Sequence, residues 1–241
     1  MTRTILRVSG PDRARFLQGL LTRDVPASGL GYAALLTPQG KYLADFLVWQ
    51  DGEAVHLDVD AALAGGLARR LAMYRLRSKV EIAEASIPVA RGTGPAPPGA
   101  LPDPRPGMGW RGYGAGGDDG TDWDAVRVEN LVPETGRELV PEESYILEMG
   151  FERLGGVDFR KGCYVGQEVT ARMKHKTELR KGLARIRGAA LAEGAEITAA
   201  GRPVGRVHTV SGDRALAYLR FDRAEGMETA AGPLALDARA V

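Results

Sequence analysis

Proline and glycine are concentrated in one segment near the middle of this 241-residue chain. Seven of the 14 prolines lie between Pro88 and Pro106, and ten glycines lie between Gly92 and Gly120. Proline lacks the backbone N–H that helices and central strands need, and glycine weakens both kinds of element. We therefore expect residues 89–120 to be a Pro/Gly-rich linker or a partly ordered excursion between two folded parts.

The residues before this segment form one N-terminal lobe, 1–88, in which strand and helix patterns alternate. Strands are predicted at 4–8, 32–36, 42–49, 55–59 and 79–83, and the second and third are joined as a hairpin. A helix is predicted after residues 9–12, and another after Asp60, where Leu63, Leu67 and Leu71 recur every four residues.

The residues after the segment divide into two parts. Region 121–178 is predicted to hold a helix at 123–132, a second short helix at 142–149, and a third at 167–172. Region 179–241 holds five short strands, at 183–186, 195–198, 204–210, 216–221 and 234–236, separated by glycine and aspartate turns. Short strands at this spacing are typical of a small β-barrel.

The chain has one cysteine, Cys163, and it lies in the segment RKGCYVGQE at 160–168. Neighbouring cations such as Arg160 and Lys161 favour the thiolate, which is both the nucleophile and the soft metal ligand. Gly162 and Gly166 permit unusual torsions and close approach of a ligand. Cys163 is therefore a candidate nucleophile or metal ligand. The alternative is that it is a small apolar residue of the core.

The composition excludes several classes of protein. A single cysteine rules out an intramolecular disulfide, and neither a secretory signal nor an apolar run of about 18 residues is present. We therefore expect a cytoplasmic protein that has no membrane partner. His56, His175 and His208 are far apart in sequence, so no metal site is predicted.

The net charge of +1 argues against direct nucleic-acid binding, although the charge is unevenly distributed. Residues 160–187 carry nine lysines and arginines against two glutamates. We call this segment the basic strip. It could concentrate anions such as a polycarboxylate tail, a phosphate or RNA. The alternative is a solvent-exposed strand edge whose charges prevent aggregation.

The octapeptide KGCYVGQE at 161–168 resembles the signature of the YgfZ-type folate-binding proteins. Those proteins assist iron-sulfur cluster assembly and are related to the folate-dependent aminomethyltransferase, or T protein, of the glycine cleavage system. Segments at 10–25, 36–46, 77–80, 127–129 and 154–157 resemble the same family. The resemblance implies an α+β fold, with folate-binding lobes of the T-protein type around a central opening, followed by a small C-terminal β-barrel.

The resemblance also implies a site. A reduced folate, tetrahydrofolate, would lie in the central opening with its pterin near Trp123 and Glu129 and its anionic tail near the basic strip. Cys163, activated by Lys161, would face the same cavity and act as a redox-sensitive thiol or as a transient ligand. The other site residues that the family pattern suggests are Asp45, Tyr164, Gln167, Glu168 and Arg172. Without the resemblance, Trp123 is equally consistent with a core residue, and Glu129 with a surface helix charge.

The function implied is that of an accessory factor rather than an enzyme. It would assist iron-sulfur cluster assembly or repair, with cluster assembly proteins and client iron-sulfur enzymes, including tRNA-modifying ones, as partners. One alternative is a tetrahydrofolate-dependent aminomethyl (one-carbon) transferase, but the acidic pair of the T protein is reduced here to Ala44-Asp45. Another alternative is an RNA-binding or adaptor module that uses the basic strip.

Overall fold

The computed structural model describes residues 2–176 and 178–241, and within them the strands form three sheets. The first sheet is antiparallel and has the spatial order β2-β3-β4-β1-β5, where the strands are β1 Arg3–Ser9, β2 Gly31–Leu36, β3 Tyr42–Gln50, β4 Ala54–Asp60 and β5 Glu81–Ala85. Every residue of β2 is buried, which places this sheet at the centre of the N-terminal lobe.

Two helices, α1 Arg13–Gln18 and α2 Ala61–Arg75, pack on the first sheet. The Asp60 side chain caps α2 by accepting a hydrogen bond from the Ala62 N–H at 2.8 Å. Leu67 and Leu71 are buried against the sheet, as the four-residue period predicts. Burial of each leucine stabilises the packing by roughly 1.5–3 kcal/mol, which exceeds the cost of the two glycines inside α2.

Residues 89–120 are ordered as a small sheet, which differs from the linker or excursion expected from their composition. The order is β7-β8-β6-β9, with β6 Val89–Gly92, β7 Leu101–Pro102, β8 Trp110–Tyr113 and β9 Gly117–Asp118. The Tyr113 ring stacks on Trp49 of β3 at 3.9 Å between centroids. Contacts of this kind with the first sheet, rather than strand periodicity, order the segment.

The region after this sheet contains α3 Trp123–Asn130 and α4 Gln167–Lys176. Residues 142–149 form turns, so the short helix predicted there is wrong. The reason is tertiary: the Glu142 N–H donates to the Tyr42 carbonyl at 2.7 Å, and the Ser144 carbonyl accepts from the Tyr42 N–H at 2.9 Å. The backbone groups that a helix would use are bonded to the hairpin instead.

The C-terminal region is a seven-stranded sheet around its own apolar core, in the order β15-β14-β11-β12-β13-β10-β16. A 3-10 helix, Phe221–Arg223, follows β13. The strands are β10 Lys181–Arg187, β11 Glu196–Ala199, β12 Arg202–Ser211, β13 Arg214–Arg220, β14 Glu228–Thr229, β15 Gly232–Pro233 and β16 Ala235–Arg239. Leu183 and Leu216 also join the core shared with the preceding region, so the two parts pack together.

Candidate functional site

The loop at 160–166 presents its cysteine to solvent. Cys163 is a free, exposed thiol, and α4 begins four residues later at Gln167. The alternative that this cysteine is a small core residue therefore does not hold. A partner molecule can reach the sulfur directly.

Lys161 anchors this loop. Its side chain is buried, and Nζ donates to the carbonyls of Gln18 at 2.7 Å and Leu21 at 2.6 Å. Burial lowers the pKa of Lys161, while the Asp24 carboxylate, 3.7 Å away, acts in the opposite direction. The hydrogen bonds of the ammonium thus run to the end of α1, and among the described residues none runs to Cys163. The structure gives no support for direct activation of the thiol by Lys161.

Replacing Lys161 with methionine is expected to lower the free energy of unfolding by about 1–3 kcal/mol, because the buried Leu21 carbonyl and the partly buried Gln18 carbonyl lose their donor. Urea unfolding measures this change, and a faster reaction of Cys163 with a thiol reagent would report a loosened loop. Arg160→Met is the matched control, since the Arg160 side chain is 96% exposed. Equal stability of Lys161→Met and the parent protein would show that the ammonium is no anchor.

The residues that follow Cys163 pin the loop to the first sheet. Tyr164 packs into the main core, and its burial raises the pKa of its phenol to about 12. The Val165 N–H donates to the Gly19 carbonyl at 3.2 Å. Gly166 has φ +84°, and a Cβ there would lie 2.6 Å from the Thr37 carbonyl oxygen. Only glycine fits this contact, so the loop is held on both sides of its exposed thiol.

Three further residues suggested by the family pattern lie on α4. The Gln167 N–H donates to the Tyr164 carbonyl at 3.2 Å, which supports the loop. Glu168 and Arg172 form an exposed ion pair at 2.7 Å, one helical turn apart. Such pairs contribute only about 0.3–0.5 kcal/mol to stability. This pair therefore lies on the helix surface and adds little to the stability of the loop.

Asp45 lies in a buried polar cluster inside the molecule. Its carboxylate accepts hydrogen bonds from the hydroxyls of Tyr32 at 2.9 Å, Tyr42 at 2.7 Å and Thr135 at 2.9 Å. Burial, together with the nearby carboxylate, raises the pKa of both tyrosines well above the usual value. Both phenols therefore remain donors, and both oxygens of Asp45 are occupied within the protein.

Arginines fill the space beside Asp45. Asp103 accepts two hydrogen bonds from the Arg105 guanidinium, at 2.9 and 2.7 Å, and one from the Arg111 guanidinium at 3.2 Å. We call these three residues the Asp103 cluster. The cavity between this cluster and Asp45 measures only about 20 Å³, far below the roughly 300–1,000 Å³ of small-molecule sites.

Trp123 and Glu129 do not face one cavity. The Trp123 ring lies under the Arg91 guanidinium at 4.1 Å, and its Nε1 donates to Asp118 at 2.5 Å. Glu129 lies at the other end of α3, where its exposed carboxylate pairs with Arg185 at 3.3 Å and with Arg214. Glu129 therefore links α3 to the C-terminal sheet.

These residues do not fit the pterin of tetrahydrofolate. A cavity of about 330 Å³ does lie near Trp123, lined by Arg3, Val89, Arg91, Arg111, Gly117 and Asp118. Its one carboxylate, Asp118, is already bonded to Arg91 and Trp123. A pterin needs an acceptor for its amide and amine hydrogens, and Glu129 is not on this cavity.

The basic strip is largely neutralised. Seven of its nine cations have a carboxylate within 4 Å, through the pairs Arg160–Asp158, Lys161–Asp24, Arg172–Glu168, Lys174–Glu152, Lys181–Glu148, Arg185–Asp237 and Arg187–Asp213. The side chain of Lys176 lies outside the described residues. The strip is therefore not a continuous anion-binding surface. The alternative of a solvent-exposed strand edge is wrong as well, because β10 pairs with β13 on one side and with β16 on the other.

Sequence reasoning missed the buried arginines, of which Arg127 is one. Arg127 donates to Glu138 at 2.9 Å and to Thr209 at 2.7 Å, and so ties α3 to β12. The sequence indicates these arginines only weakly. Arg127 is a charged residue in the predicted helix 123–132, and Asp103 and Arg105 lie inside a proline-rich segment. Partners 11 and 82 residues away in the chain leave no local pattern.

Two kinds of feature are absent from the described residues. Over residues 2–176 and 178–241, no group of three or more His, Cys, Asp or Glu side chains could hold a metal ion. No helix in the described part of the chain is long and apolar enough to cross a membrane.

Known proteins with similar sequences are iron-sulfur cluster assembly factors. The human "Iron-sulfur cluster assembly factor IBA57, mitochondrial" is 34% identical over 93% of this chain and 77% of its own length. The mouse protein of the same name is 31% identical with the same coverage. The homolog from Mycosarcoma maydis is 33% identical over 74% of this chain and 54% of its own length.

Similarity of fold extends along nearly the whole chain. The glycine cleavage system aminomethyltransferase T from Bartonella henselae superimposes with a TM-score of 0.73, over 98% of this chain and 82% of that protein, at 13% identity. The family model described as the CAF17 C-terminal beta-barrel domain matches residues 180–241. The predicted α+β fold of the T-protein type with a C-terminal β-barrel is confirmed. The predicted cytoplasmic location is contradicted, because the similar proteins are named as mitochondrial.

Proposed function

This chain belongs to the IBA57 family of iron-sulfur cluster assembly factors, and we propose that Cys163 serves that work as a transient iron ligand. The observation that carries the proposal is an exposed thiol on a loop that is fixed at both sides, by Lys161 and by Gly166. A fixed loop presents the sulfur in one position, which lowers the entropy cost of engaging a partner. The mitochondrial names of the relatives support that compartment as its place of work.

The cluster is cargo in this proposal. Cys163 supplies one thiolate, whereas stable clusters are held by about four, so the cluster must remain bound to a carrier protein while Cys163 engages it. In this exchange, one iron–sulfur bond to a carrier cysteine breaks, a bond to the Cys163 sulfur forms, and the Cys163 proton passes to the departing thiolate. No electron is transferred. The test is whether a Cys163→Ser chain still restores iron-sulfur enzymes in cells that lack the protein.

The aminomethyl transferase alternative has less support. Asp45 is the one acid at the position of the T-protein pair, and three hydroxyl donors occupy its carboxylate. Its neighbour Ala44 offers no acid. An accessory role, rather than catalysis of one-carbon transfer, is therefore the better proposal. The RNA-binding alternative is weakened by the pairing of the basic strip with carboxylates.

Folate binding and the YgfZ-type resemblance remain predictions, and the site residues do not favour them. We expect no saturable quenching of tryptophan fluorescence by tetrahydrofolate, because the central space is filled by the Asp103 cluster. Trp123→Phe is the control, because the Trp123 indole contacts Arg91 and Asp118 of the 330 Å³ cavity. Saturable quenching in the parent protein that is lost in this variant would restore folate as a ligand.

The clients are proposed to be iron-sulfur enzymes, including tRNA-modifying ones, and the immediate partners are proposed to be cluster assembly proteins. Support for this comes from the names of the relatives, which specify cluster assembly. In cells that lack the protein, the activity of such enzymes and the level of the tRNA modifications that they make should fall together.

A further inference from the structure

A groove of about 840 Å³ lies between α1 and the end of α2. Its lining residues are Asp12, Arg15, Phe16, Gly19, Leu20, Tyr74, Leu76, Arg77 and Ser78. We call it the α1–α2 groove. Phe16, Leu20, Tyr74 and Leu76 supply apolar walls, and Arg15 and Arg77 line the groove with them. Its volume falls within the range of ligand and anchor sites in proteins.

Leu76, on the wall of this groove, has an unfavourable conformation and is exposed. Its backbone has φ +43° and ψ −108°, a combination that costs a residue with a Cβ free energy. Its side chain is 87% exposed, and Met73, one helical turn earlier, is 68% exposed. The fold thus holds two large apolar side chains in solvent at one end of α2. Exposed apolar surface beside a groove is typical of an interaction site.

Four cations without a carboxylate partner line this groove or are next to its lining residues in the chain. Arg15, Arg75, Arg77 and Lys79 are exposed, and no carboxylate lies within 4 Å of their side-chain nitrogens among residues 2–176 and 178–241. The one acid in the groove lining, Asp12, accepts a hydrogen bond from the Lys79 backbone N–H at 2.7 Å. This surface therefore differs from the basic strip, whose cations are mostly paired, and its charge is complementary to an acidic partner.

The groove is adjacent to the thiol. Gly19, at the groove, accepts the hydrogen bond from Val165, and Gln18 accepts one from Lys161. Cys163 lies between these two contacts, two residues from Val165. Two residues of extended chain span at most about 7 Å, so a protein seated in the groove can place a cluster at the Cys163 sulfur.

We infer that the α1–α2 groove docks the cluster-carrying protein, and that this protein presents an acidic surface with an apolar side chain that inserts beside Leu76. The inference rests on the proposed function, since it names the partner of the Cys163 site. A protein fits better than a nucleic acid, because apolar anchors in grooves are typical of protein interfaces, whereas nucleic acids are held mainly through phosphate contacts.

Site-specific photo-crosslinking tests the inference. The full chain carries p-benzoylphenylalanine in place of Leu76, or in place of Leu236 of β16 as a partly exposed control, in cells that lack the parent protein. We expect a product at position 76 that is absent at 236, in which the linked protein has cluster-ligating cysteines and the linked peptide is net acidic. Crosslinks to RNA, to a second copy of this chain, or to the same proteins at both positions would overturn the inference.

Charge variants separate docking from folding. Arg15→Glu combined with Arg77→Glu should reduce the crosslink at position 76 by about tenfold or more, while Arg202→Glu with Arg206→Glu on the C-terminal sheet should leave it unchanged. Acid-to-lysine changes in the linked peptide should restore the crosslink to the Arg15→Glu, Arg77→Glu chain. If the crosslink is not restored by these charge reversals in the partner, docking through complementary charge is refuted.

A second variant removes the apolar Leu76 side chain from the groove and is expected to keep the fold intact. Leu76→Gly relieves the backbone conformation, so we expect a melting temperature that is unchanged or higher together with impaired rescue of iron-sulfur enzymes. If Leu76→Gly rescues normally while Cys163→Ser does not, docking in the α1–α2 groove is overturned and the proposed role of the thiol stands. Normal rescue by Cys163→Ser, with the crosslink at position 76 intact, would instead overturn the proposed role of the thiol.

Discussion

Iron-sulfur enzyme activity is expected to stay at the level of cells lacking the protein when the only copy carries Cys163→Ser. Serine keeps the size of the side chain and removes the soft sulfur ligand that iron in a cluster requires. Cys163 is exposed and is the only cysteine of the chain. No other thiol can therefore replace it at this surface. The measurement is the activity of client enzymes in extracts, normalised to their protein levels.

Folding must be unchanged for this loss to be informative. Substitution of an exposed residue usually alters the free energy of unfolding by no more than about 0.5 kcal/mol, so Cys163→Ser should melt with the parent protein. Lys161→Met is a useful comparison, because it should be less stable yet retain the thiol. Full rescue by Cys163→Ser at normal expression would exclude the sulfur from the mechanism.

Cys163→His distinguishes an iron ligand from a redox-sensitive thiol. Imidazole binds iron but cannot undergo thiol oxidation. Partial rescue by histidine, with none by serine, is the result expected for a ligand. Equal failure of histidine and serine would favour thiol redox chemistry at this position.

The sequence predicts well those features that depend on local patterns. The period of Leu63, Leu67 and Leu71 predicts α2, and the alternation of strands and glycine or aspartate turns predicts the C-terminal sheet. Cys163 stands out because it is the only thiol and follows two cations. In each case, neighbours in sequence supply the information on which the inference depends.

The rest depends on contacts between distant residues. The Tyr42 backbone donates a hydrogen bond to Ser144 and accepts one from Glu142, which prevents a helix at 142–149. These partners are about 100 residues apart in the chain, so no local periodicity predicts the contact. Lys161 follows an arginine and lies two residues before Cys163, so it resembles an activator of the thiol in sequence. Its long side chain instead reaches the carbonyls of Gln18 and Leu21. Trp123 and Glu129 share a helix but face different parts of the molecule.

The Asp103 cluster is a second reason, besides the contacts with the first sheet, why a segment rich in proline and glycine is ordered. Asp103 precedes the turn between β7 and β8, Arg105 lies in that turn, and Arg111 lies on β8, so the ion pairs close this hairpin from inside. All three side chains are buried. A buried ion pair stabilises little compared with apolar packing, but removal of one partner leaves an uncompensated charge. The Asp103 carboxylate therefore supports the β7–β8 hairpin in addition to the strand pairing and the contacts with the first sheet.

Asp103→Asn is accordingly expected to lower the free energy of unfolding at pH 7 by about 3–5 kcal/mol. Burial alone would raise the pKa of Asp103, but the Arg105 and Arg111 guanidiniums outweigh it, so this pKa lies below its usual value. The carboxylate thus contributes stability above about pH 3.9, and this contribution is lost as the pH falls through the folded-state pKa. The difference between Asp103→Asn and the parent protein should shrink in acid over that range.

Urea unfolding followed by tryptophan fluorescence suits this measurement, because the three tryptophans of the chain all border the segment: Trp110 lies on β8, Trp49 stacks on Tyr113, and Trp123 bonds to Asp118. The matched control is Asp213→Asn, which removes an exposed carboxylate paired with Arg187 at 3.5 Å and should cost no more than about 0.5 kcal/mol. If both variants unfold with the parent protein at pH 7, strand pairing and stacking alone order residues 89–120. A large loss confined to Asp103→Asn would instead show that the buried arginines, which close the central space to a pterin, also hold this part of the fold together.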